Sequence, residues 1–368
     1  MGGAQKMTIA LAEHLSEYGI ATELAVVSGD GPLREHLRPD LPVTVLGSPT
    51  SVTHRLPRRH AVRAAVPRLA RFIRDRSPDL LVAGANHAGI AAAAAHGLAG
   101  GTPTELVIRV TNPIDRPGSM PTLKRAAVRL LYPRARRLVA VSTPIADDLT
   151  RVLGSRPDVR VIPEPVIGAT FAERARAPAF HPWIVEDRPL VVSVGRLVEQ
   201  KDHATLMQAF AVVHAADRRH RLLIVGDGPL RGELVGLRRL LGLEDAVDFT
   251  GAVDNPLPAL GAARCLVMSS RWEGLGIALV EAMALGCPVV ATDTPAARWL
   301  LADGAVGGLT PIGDPISMAR AIQAALAHPP PSERLLARAA DFSSGAATAA
   351  YAALFEELNR SRLVRRAA

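Results

Sequence analysis

The chain has 368 residues, of which 48% are apolar and 21% are charged, with a formal net charge of +8 at pH 7. This length suffices for two domains with buried cores, and the composition excludes fibrous, low-complexity and repeat proteins. The longest uncharged stretch, residues 80–104, holds too many alanines, glycines and polar side chains for a membrane span. We therefore expect a soluble protein.

The positive charge is concentrated in the first half of the chain. Residues 1–165 contain 22 Lys and Arg against 14 Asp and Glu, while the remainder is balanced. Much of the excess lies in residues 55–76, where apolar residues at helical spacing alternate with arginines, and in residues 124–137. Two interpretations of this basic segment stay open: a solvated helix face, and a surface that contacts anionic lipid or a phosphorylated acceptor. Nucleic acid is disfavoured, since no stacking aromatic residues accompany the charge.

Apolar strand-like runs alternate with helical segments along the whole chain, which is the pattern of parallel sheets with crossover helices. The first half has predicted strands at residues 22–27, 43–46, 80–83, 105–110, 138–141 and 159–162. The second half has them at residues 190–194, 221–225, 246–250, 265–268 and 288–291. The sequence thus predicts an α/β protein with two doubly wound domains that face one another across a cleft.

The amino-terminal segment departs from this pattern. Gly2 and Gly3 lead directly into a predicted amphipathic helix that contains Met7 and Leu11. In doubly wound folds such a glycine pair normally follows a strand, and here no strand precedes it. We expect the first strand of the amino-terminal domain to be missing, through truncation, an upstream start codon or evolutionary loss.

Two glutamates eight residues apart, Glu273 and Glu281, flank the predicted start of a helix near Gly276. At 1.5 Å per helical residue they are separated by about 12 Å, roughly the reach from the sugar to the ribose of a nucleotide diphosphate sugar. The free N–H groups of the first turn lie between them, where a diphosphate would be stabilised. The simpler alternative is that one glutamate caps the helix start and the other lies on a solvated helix face.

Two cations follow an earlier predicted strand. Arg196 and Lys201 come directly after residues 190–194, and lysine is otherwise rare in this chain. Cations at this edge can neutralise charge that accumulates on a departing diphosphate, although a surface turn is an alternative. A glycine turn, residues 226–229, follows the next strand.

Together these three segments resemble the retaining GT-B glycosyltransferases of family 4, also called group 1 glycosyltransferases. The resemblance is strong over residues 191–315 and extends to residues 2–27 and 79–166. Residues 161–166 look like the family's interdomain turn, with Glu164 where asparagine is usual. The two sets of predicted strands and the irregular, proline-containing stretch between them predict a first domain (1–165), a linker (166–188) and a second domain (189–345). The resemblance implies that these are the acceptor-side and nucleotide-sugar domains, and that a final helix with a basic tail (346–368) crosses back to the first domain.

The resemblance also implies roles for individual residues. Arg196 and Lys201 would hold the donor diphosphate, Glu281 the ribose and Glu273 the transferred sugar. The backbone contacts to the donor would come from Gly2, Gly3, Gly195, Gly274, Leu275 and Gly276. In this family the leaving diphosphate is thought to accept the acceptor's proton on the same face, so that no protein nucleophile is required. We expect no cofactor and no metal, because these cations supply the positive field and no ligand cluster is visible.

On the acceptor side, His87, Arg109 and Asn112 follow two predicted strands. A subgroup of the family has comparable N-H-A and R-x-x-N segments, with histidine where this chain has Thr111. These residues are candidate contacts to the acceptor or donor, with a structural histidine as the alternative for His87. Residues 294–299 depart from the family's glycine-containing loop, which normally ends in glutamate.

The function implied is transfer of a hexose-type sugar from a UDP- or GDP-sugar to a glycan or lipid-linked acceptor, in cell-surface polysaccharide or glycolipid synthesis. The expected location is cytoplasmic, with possible peripheral contact to the inner membrane face. Two alternatives stay open: a nucleotide-sugar epimerase of similar architecture, and a truncated, non-catalytic nucleotide-sugar-binding protein. Cys265 and Cys287 are expected to be reduced core side chains.

Overall fold

A computed structural model of the chain describes residues 3–29, 34, 37–47, 58–115, 122–154 and 158–367. They form two compact units. The first unit comprises residues 1–165 and 344–368, and the second comprises residues 166–343. Across the described ranges, no helix combines the length and the apolar composition that a bilayer crossing demands.

The first unit contains parallel strands in two separate sheets, β1–β2 and β3–β4–β5–β6. The strands are β1 (Leu24–Val26), β2 (Val43–Val45), β3 (Leu80–Ala83), β4 (Glu105–Val110), β5 (Arg137–Ala140) and β6 (Val159–Val161). The helices are α1 (Gly3–Leu15), α2 (Arg58–Ala64), α3 (Val66–Arg76), α4 (Asn86–Ala99), α5 (Thr122–Leu131), α6 (Thr143–Leu153) and, from the end of the chain, α15 (Ser344–Ala367).

The first unit's core lies between its sheet and the two terminal helices. Leu11 of α1 and Tyr351 and Leu358 of α15 pack against Val107 and Val139 of the central strands, and all five are buried. The alternation of apolar residues along α1 therefore corresponds to one buried helix face.

The described part of the arginine-rich segment, residues 58–76, forms two helices, α2 and α3. Ala70 and Ile73 of α3 are buried in a small cluster with Ala95 and Ala99 of α4. The arginines of α3 are exposed: Arg68, Arg71, Arg74 and Arg76. The apolar stripe predicted from the sequence is thus part of the protein core, and only the basic face meets solvent.

The second unit is one continuous parallel sheet with the strand order β12–β11–β10–β7–β8–β9. The strands are β7 (Leu190–Val194), β8 (Arg221–Val225), β9 (Val247–Gly251), β10 (Cys265–Met268), β11 (Val289–Thr292) and β12 (Gly308–Thr310). The helices are α7 (Phe171–Ala175), α8 (His203–Ala216), α9 (Arg231–Leu240), α10 (Leu257–Ala262), α11 (Ile277–Met283), α12 (Pro295–Leu300), α13 (Pro315–Ala327) and α14 (Ser332–Ala340). The winding direction reverses between β7 and β10, where ligands bind in such sheets.

The segment 166–188, predicted as a linker, is part of the second unit. Phe171 is buried, and the Asn255 side-chain amide donates to the carbonyl oxygen of Arg174 at 2.7 Å. The His181 ring nitrogen lies 3.1 Å from a carboxylate oxygen of Asp248. The segment predicted as a linker is therefore held against the unit that follows it in sequence.

Candidate active site

The candidate site lies at the reversal point of the second unit's sheet. β7 and β10 are parallel neighbours, with Cys265 opposite Val191 and Leu266 opposite Val192. The loops that follow them, residues 195–202 and 269–276, leave the same edge of the sheet. The topology thereby brings together the two motifs that are about 70 residues apart in sequence.

An ion pair joins the two loops. Lys201 Nζ donates to Glu273 Oε1 at 2.5 Å, and the side chains are 19% and 9% exposed. The Ser270 hydroxyl donates to the same carboxylate oxygen at 2.7 Å. Thr292, on β11, donates in turn to the carbonyl oxygen of Ser270. The Glu273 carboxylate is thus held by a cation and by a hydroxyl that is itself fixed.

Further hydrogen bonds connect the same two loops. The Gln200 side-chain amide donates to the carbonyl oxygen of Trp272 at 2.9 Å, and the Gln200 backbone carbonyl oxygen accepts from the Arg271 N–H at 2.8 Å. The Ser269 hydroxyl donates to the Lys201 carbonyl oxygen at 2.8 Å. Arg271 also donates from Nε to the Asp202 carboxylate at 3.1 Å. The two loops therefore behave as one rigid support for Lys201 and Glu273.

The glycine turn after β8 supports the segment that carries Arg196. Leu197 N–H donates to the Asp227 carbonyl oxygen at 3.0 Å, and Gly195 N–H donates to the Val225 carbonyl oxygen at 3.0 Å. A β-carbon on Gly228 would lie 2.4 Å from the Leu197 carbonyl oxygen, so the close approach requires glycine. Arg196 itself is exposed.

Helix α11 begins beside Glu273, as the sequence predicts. Gly276 precedes it with a φ of 93°, a left-handed conformation that favours glycine. Gly274 and Leu275 are buried in the same turn, and Glu281 is half-buried on the helix. Both glutamates therefore belong to one turn-and-helix segment at the carboxyl edge of β10.

His203 is a buried titratable group at the start of α8, two residues after Lys201. Its side chain is 3% exposed. Burial lowers its pKa to about 4, and the neighbouring positive charge of Lys201 acts in the same direction. The imidazole is therefore neutral at pH 7. The two buried cysteines are free thiols, and burial raises the pKa of Cys287 to about 12.

In the first unit, Asn86 organises the carboxyl edge of β3 and β4. Its side-chain amide donates to the Asn112 carbonyl oxygen at 2.8 Å, and its side-chain oxygen accepts from the Thr111 N–H at 2.9 Å. His87 is exposed at the start of α4. The structure thus brings the N-H-A segment beside Asn112, and the roles of His87 and Asn112 in substrate contact stay predictions.

Arg109 lies elsewhere than the sequence suggested. Its side chain is 1% exposed and forms an ion pair with Glu164. We expected a contact to acceptor or donor; the structure instead encloses this guanidinium in the first unit's interior. Gly2 lies outside the described residues, and Gly3 is the first residue of α1.

Three supporting residues were not singled out from the sequence: Gln200, Ser270 and Asp202. A signal for Ser270 was present, since a polar pair after the buried strand β10 calls for partners. The partners of Gln200 lie about 70 residues away and could not be inferred without the strand order. Among the described residues, no group of three or more His, Cys, Asp or Glu side chains could hold a metal ion.

Comparison with known proteins identifies the family. Residues 179–342 match the family model described as glycosyl transferases group 1, and residues 1–167 match that of glycosyltransferase family 4. The lipopolysaccharide core biosynthesis glycosyltransferase LpsE of Rhizobium meliloti is 34% identical over 246 residues, covering 65% of this chain and 68% of that protein. The chain belongs to the group 1, family 4 glycosyltransferases. The predicted enzyme class, a glycosyltransferase of class EC 2.4, is confirmed.

Other relatives agree with this assignment. The α-D-kanosaminyltransferase of Streptomyces kanamyceticus is 30% identical over 245 residues, which cover 65% of this chain and 61% of that protein. The matched region thus spans less than two thirds of that relative.

Solved structures share the fold. The Anabaena protein HepE in complex with UDP and glucose has a TM-score of 0.72 at 21% identity and covers 100% of this chain and 96% of its own. Sucrose-phosphate synthase of Thermosynechococcus elongatus has a TM-score of 0.77 at 20% identity, and the match covers 98% of this chain and 94% of that protein. These likenesses confirm the predicted GT-B fold class.

Proposed function

We propose that this glycosyltransferase moves a sugar from a UDP- or GDP-sugar to a glycan or lipid-linked acceptor, with retention of anomeric configuration. The observation that carries the proposal is the Lys201–Glu273 ion pair at the reversal point of the second unit's sheet. A cation and a carboxylate held rigidly at this edge match the two parts of a nucleotide diphosphate sugar, its phosphates and its sugar hydroxyls.

Each residue then has a separate task. Lys201 and the exposed Arg196 neutralise the negative charge that grows on the diphosphate as the glycosidic bond breaks. Glu273 accepts hydrogen bonds from hydroxyls of the transferred sugar, and Glu281 does so from the ribose. The backbone at Gly195 and at residues 274–276 contacts the donor. The diphosphate leaving group accepts the acceptor's proton, so the protein contributes position and charge, without a metal or other cofactor.

The names of relatives and neighbours support the donor and acceptor classes. HepE was solved with UDP-glucose. A Campylobacter jejuni relative, 30% identical over 54% of this chain and 53% of its own length, is named as an N-acetylgalactosaminyltransferase acting on a diphospho-undecaprenol substrate. A lipid-linked acceptor also fits the exposed basic face of α3, which an anionic membrane surface would attract. We propose a cytoplasmic enzyme that contacts the inner membrane face through this surface.

Calorimetric titration with UDP and GDP tests the donor site. Lys201→Ala and Glu281→Ala are each expected to weaken binding of the cognate nucleotide roughly tenfold or more, as loss of a charge-assisted hydrogen bond does. Arg238→Ala is the matched control, because Arg238 is a partly buried cation of the same unit paired with Asp248. Unchanged affinity in both test variants would contradict the assignment.

The stereochemical part of the proposal needs its own measurement. The product anomer, read from proton coupling constants during turnover of a panel of UDP- and GDP-sugars, is expected to match the donor anomer. An inverted product would overturn the proposed mechanism while leaving the donor site intact. A donor converted to its epimer without transfer would instead favour the nucleotide-sugar epimerase.

A further inference from the structure

Arg109 is the centre of a buried polar cluster in the first unit. Its Nη2 donates to Glu164 Oε2 at 2.5 Å, its Nε to the Tyr351 hydroxyl at 2.8 Å and its Nη1 to the Thr8 hydroxyl at 3.0 Å. Arg109 and Glu164 side chains are 1% and 3% exposed. All three guanidinium nitrogens are thus used inside the protein.

Two of these partners, Glu164 and Tyr351, lie close in sequence to the two places where the chain passes between its units. These passages fall after residue 165 and after residue 343. Glu164 is one residue before Pro165, where the chain leaves the first unit. Tyr351 lies about two turns into α15, which begins at Ser344, where the chain returns. One guanidinium on the central strand β4 therefore reaches both passages.

The same two passages are joined to each other within the second unit. The N–H groups of Val166 and Ile167 both donate to the Phe342 carbonyl oxygen, at 3.1 and 3.2 Å. Ile167 and Ser343 form a parallel bridge. Between the two sets of anchors lies Pro165 in the first passage; in the second, α15 begins directly at Ser344, and Ala347 already packs in the first unit's core.

Stability alone does not account for an ion pair at this depth. Burial raises the pKa of the Glu164 carboxyl, and the positive charge of Arg109 opposes that rise. Apolar side chains of similar volume are often as stabilising as a buried ion pair, whereas the pair imposes one defined geometry.

We propose that Arg109 is a positioning residue that fixes both chain passages to the first unit's sheet. Bending of the chain at the passages is then confined to the few residues between the anchors, Pro165 in the first passage and residues 344–346 in the second. The consequence for catalysis rests on the proposed sugar transfer, but the anchoring itself can be tested without any substrate.

Hydrogen–deuterium exchange of the intact chain provides that test. The double variant Arg109→Met, Glu164→Leu removes both charges together, which avoids an unpaired buried charge. The amide of Ile162, which donates to the Ala140 carbonyl oxygen two residues before Glu164, is expected to exchange roughly tenfold faster in this variant, while the amides of Val166 and Ile167, bonded within the second unit, keep their protection. Arg137→Met is the control, because Arg137 pairs with Glu357 of α15 and with Asp158, away from both passages.

Tyr351→Phe supplies a milder variant should the double variant fail to fold. It removes one hydroxyl and leaves the ion pair in place, and is expected to speed exchange in residues 344–351 but not at Ile162. Wild-type exchange at both passages in folded variants would overturn the proposal. So would faster exchange of equal size in Arg137→Met.

A kinetic measurement separates positioning from mere stabilisation. In the double variant kcat is expected to fall about tenfold with the donor KM within about twofold of wild type, because the donor-binding loops are untouched. An unchanged kcat at a temperature where the variant is folded would contradict the proposed effect of Arg109 on the rate of sugar transfer. Failure of wild type to transfer any sugar would sink the proposed function, and exchange at the passages would still decide the anchoring.

Discussion

A β-carbon placed on Gly226 would lie 1.9 Å from the carbonyl oxygen of Gly195, across the adjacent ends of β8 and β7. No side chain can occupy that space, and the φ of 154° at Gly226 is one that other residues rarely adopt. The glycine turn after β8 is therefore a packing requirement of the loop that carries Arg196 and Lys201.

We expect Gly226→Ala to displace this loop and lower the stability of the second unit by about 1–3 kcal/mol, the usual cost of overpacking. Nucleotide affinity should fall with it. Urea unfolding and calorimetric titration check both effects. Gly236→Ala is the control: Gly236 is an exposed helical residue with no neighbour within 4 Å, so this change should add roughly 0.5–1 kcal/mol of stability.

The Lys201–Glu273 pair predicts opposite effects on binding and on transfer. Glu273→Gln releases Lys201 from its carboxylate partner and removes a negative charge near the proposed diphosphate site. UDP or GDP affinity is expected to rise about three- to tenfold, whereas the transfer rate falls by two orders of magnitude or so because a sugar contact is lost. Glu199→Gln, at an exposed residue of the same loop, should change neither. Weaker nucleotide binding by Glu273→Gln would show that the carboxylate does not restrain Lys201.

Ser270 is expected to act through Glu273. Ser270→Ala deletes the hydroxyl that holds the carboxylate, so the glutamate gains freedom to rotate. Steady-state kinetics should show kcat lowered about tenfold with little change in nucleotide affinity. Ser193→Ala, at another buried serine of the same sheet, is the matched control. Equal losses in the two variants would indicate a general packing effect.

His203 predicts a pH dependence of stability. Its folded pKa of about 4 is below the ordinary value of 6.5, so the unfolded chain binds a proton that the folded chain excludes between these values. The full contribution is present above pH 6.5 and decreases as the pH falls toward 4. Between pH 6.5 and 5 we expect a loss of about 2 kcal/mol from this group. His203→Gln should reduce that loss in urea unfolding of the second unit; an identical pH profile would refute the assignment.

The sequence predicted much of the fold, and the reason is the strength of the strand signal. Short, largely buried and mostly apolar runs such as Leu190–Val194 and Arg221–Val225 are bounded by turn residues, and the structure confirms both with the predicted limits. The packing of residues 166–188 was harder to predict from the sequence. Phe171 is buried and His181 contacts Asp248 of β9, and only the tertiary structure reveals this.

The candidate site was predictable in part for a related reason. Lys201 and Glu273 each follow a recognisable strand, and parallel topology brings such strand ends together. Arg109 lies near the end of a recognisable strand, β4, but the strand pattern does not reveal whether a side chain there faces solvent or the core. Only the positions of Glu164 and Tyr351, 55 and 242 residues away along the chain, decide that the guanidinium is buried.

The packing of α15 against α1 and the central strands sets an order of events during synthesis. Residues 166–343 leave the ribosome before Tyr351 and Leu358, so the second unit can complete its hydrophobic core first. Until α15 emerges, Val107 and Val139 lack the helix that covers them. We therefore expect the first unit, although begun earlier, to finish folding last, with the strand face that α15 covers exposed until then.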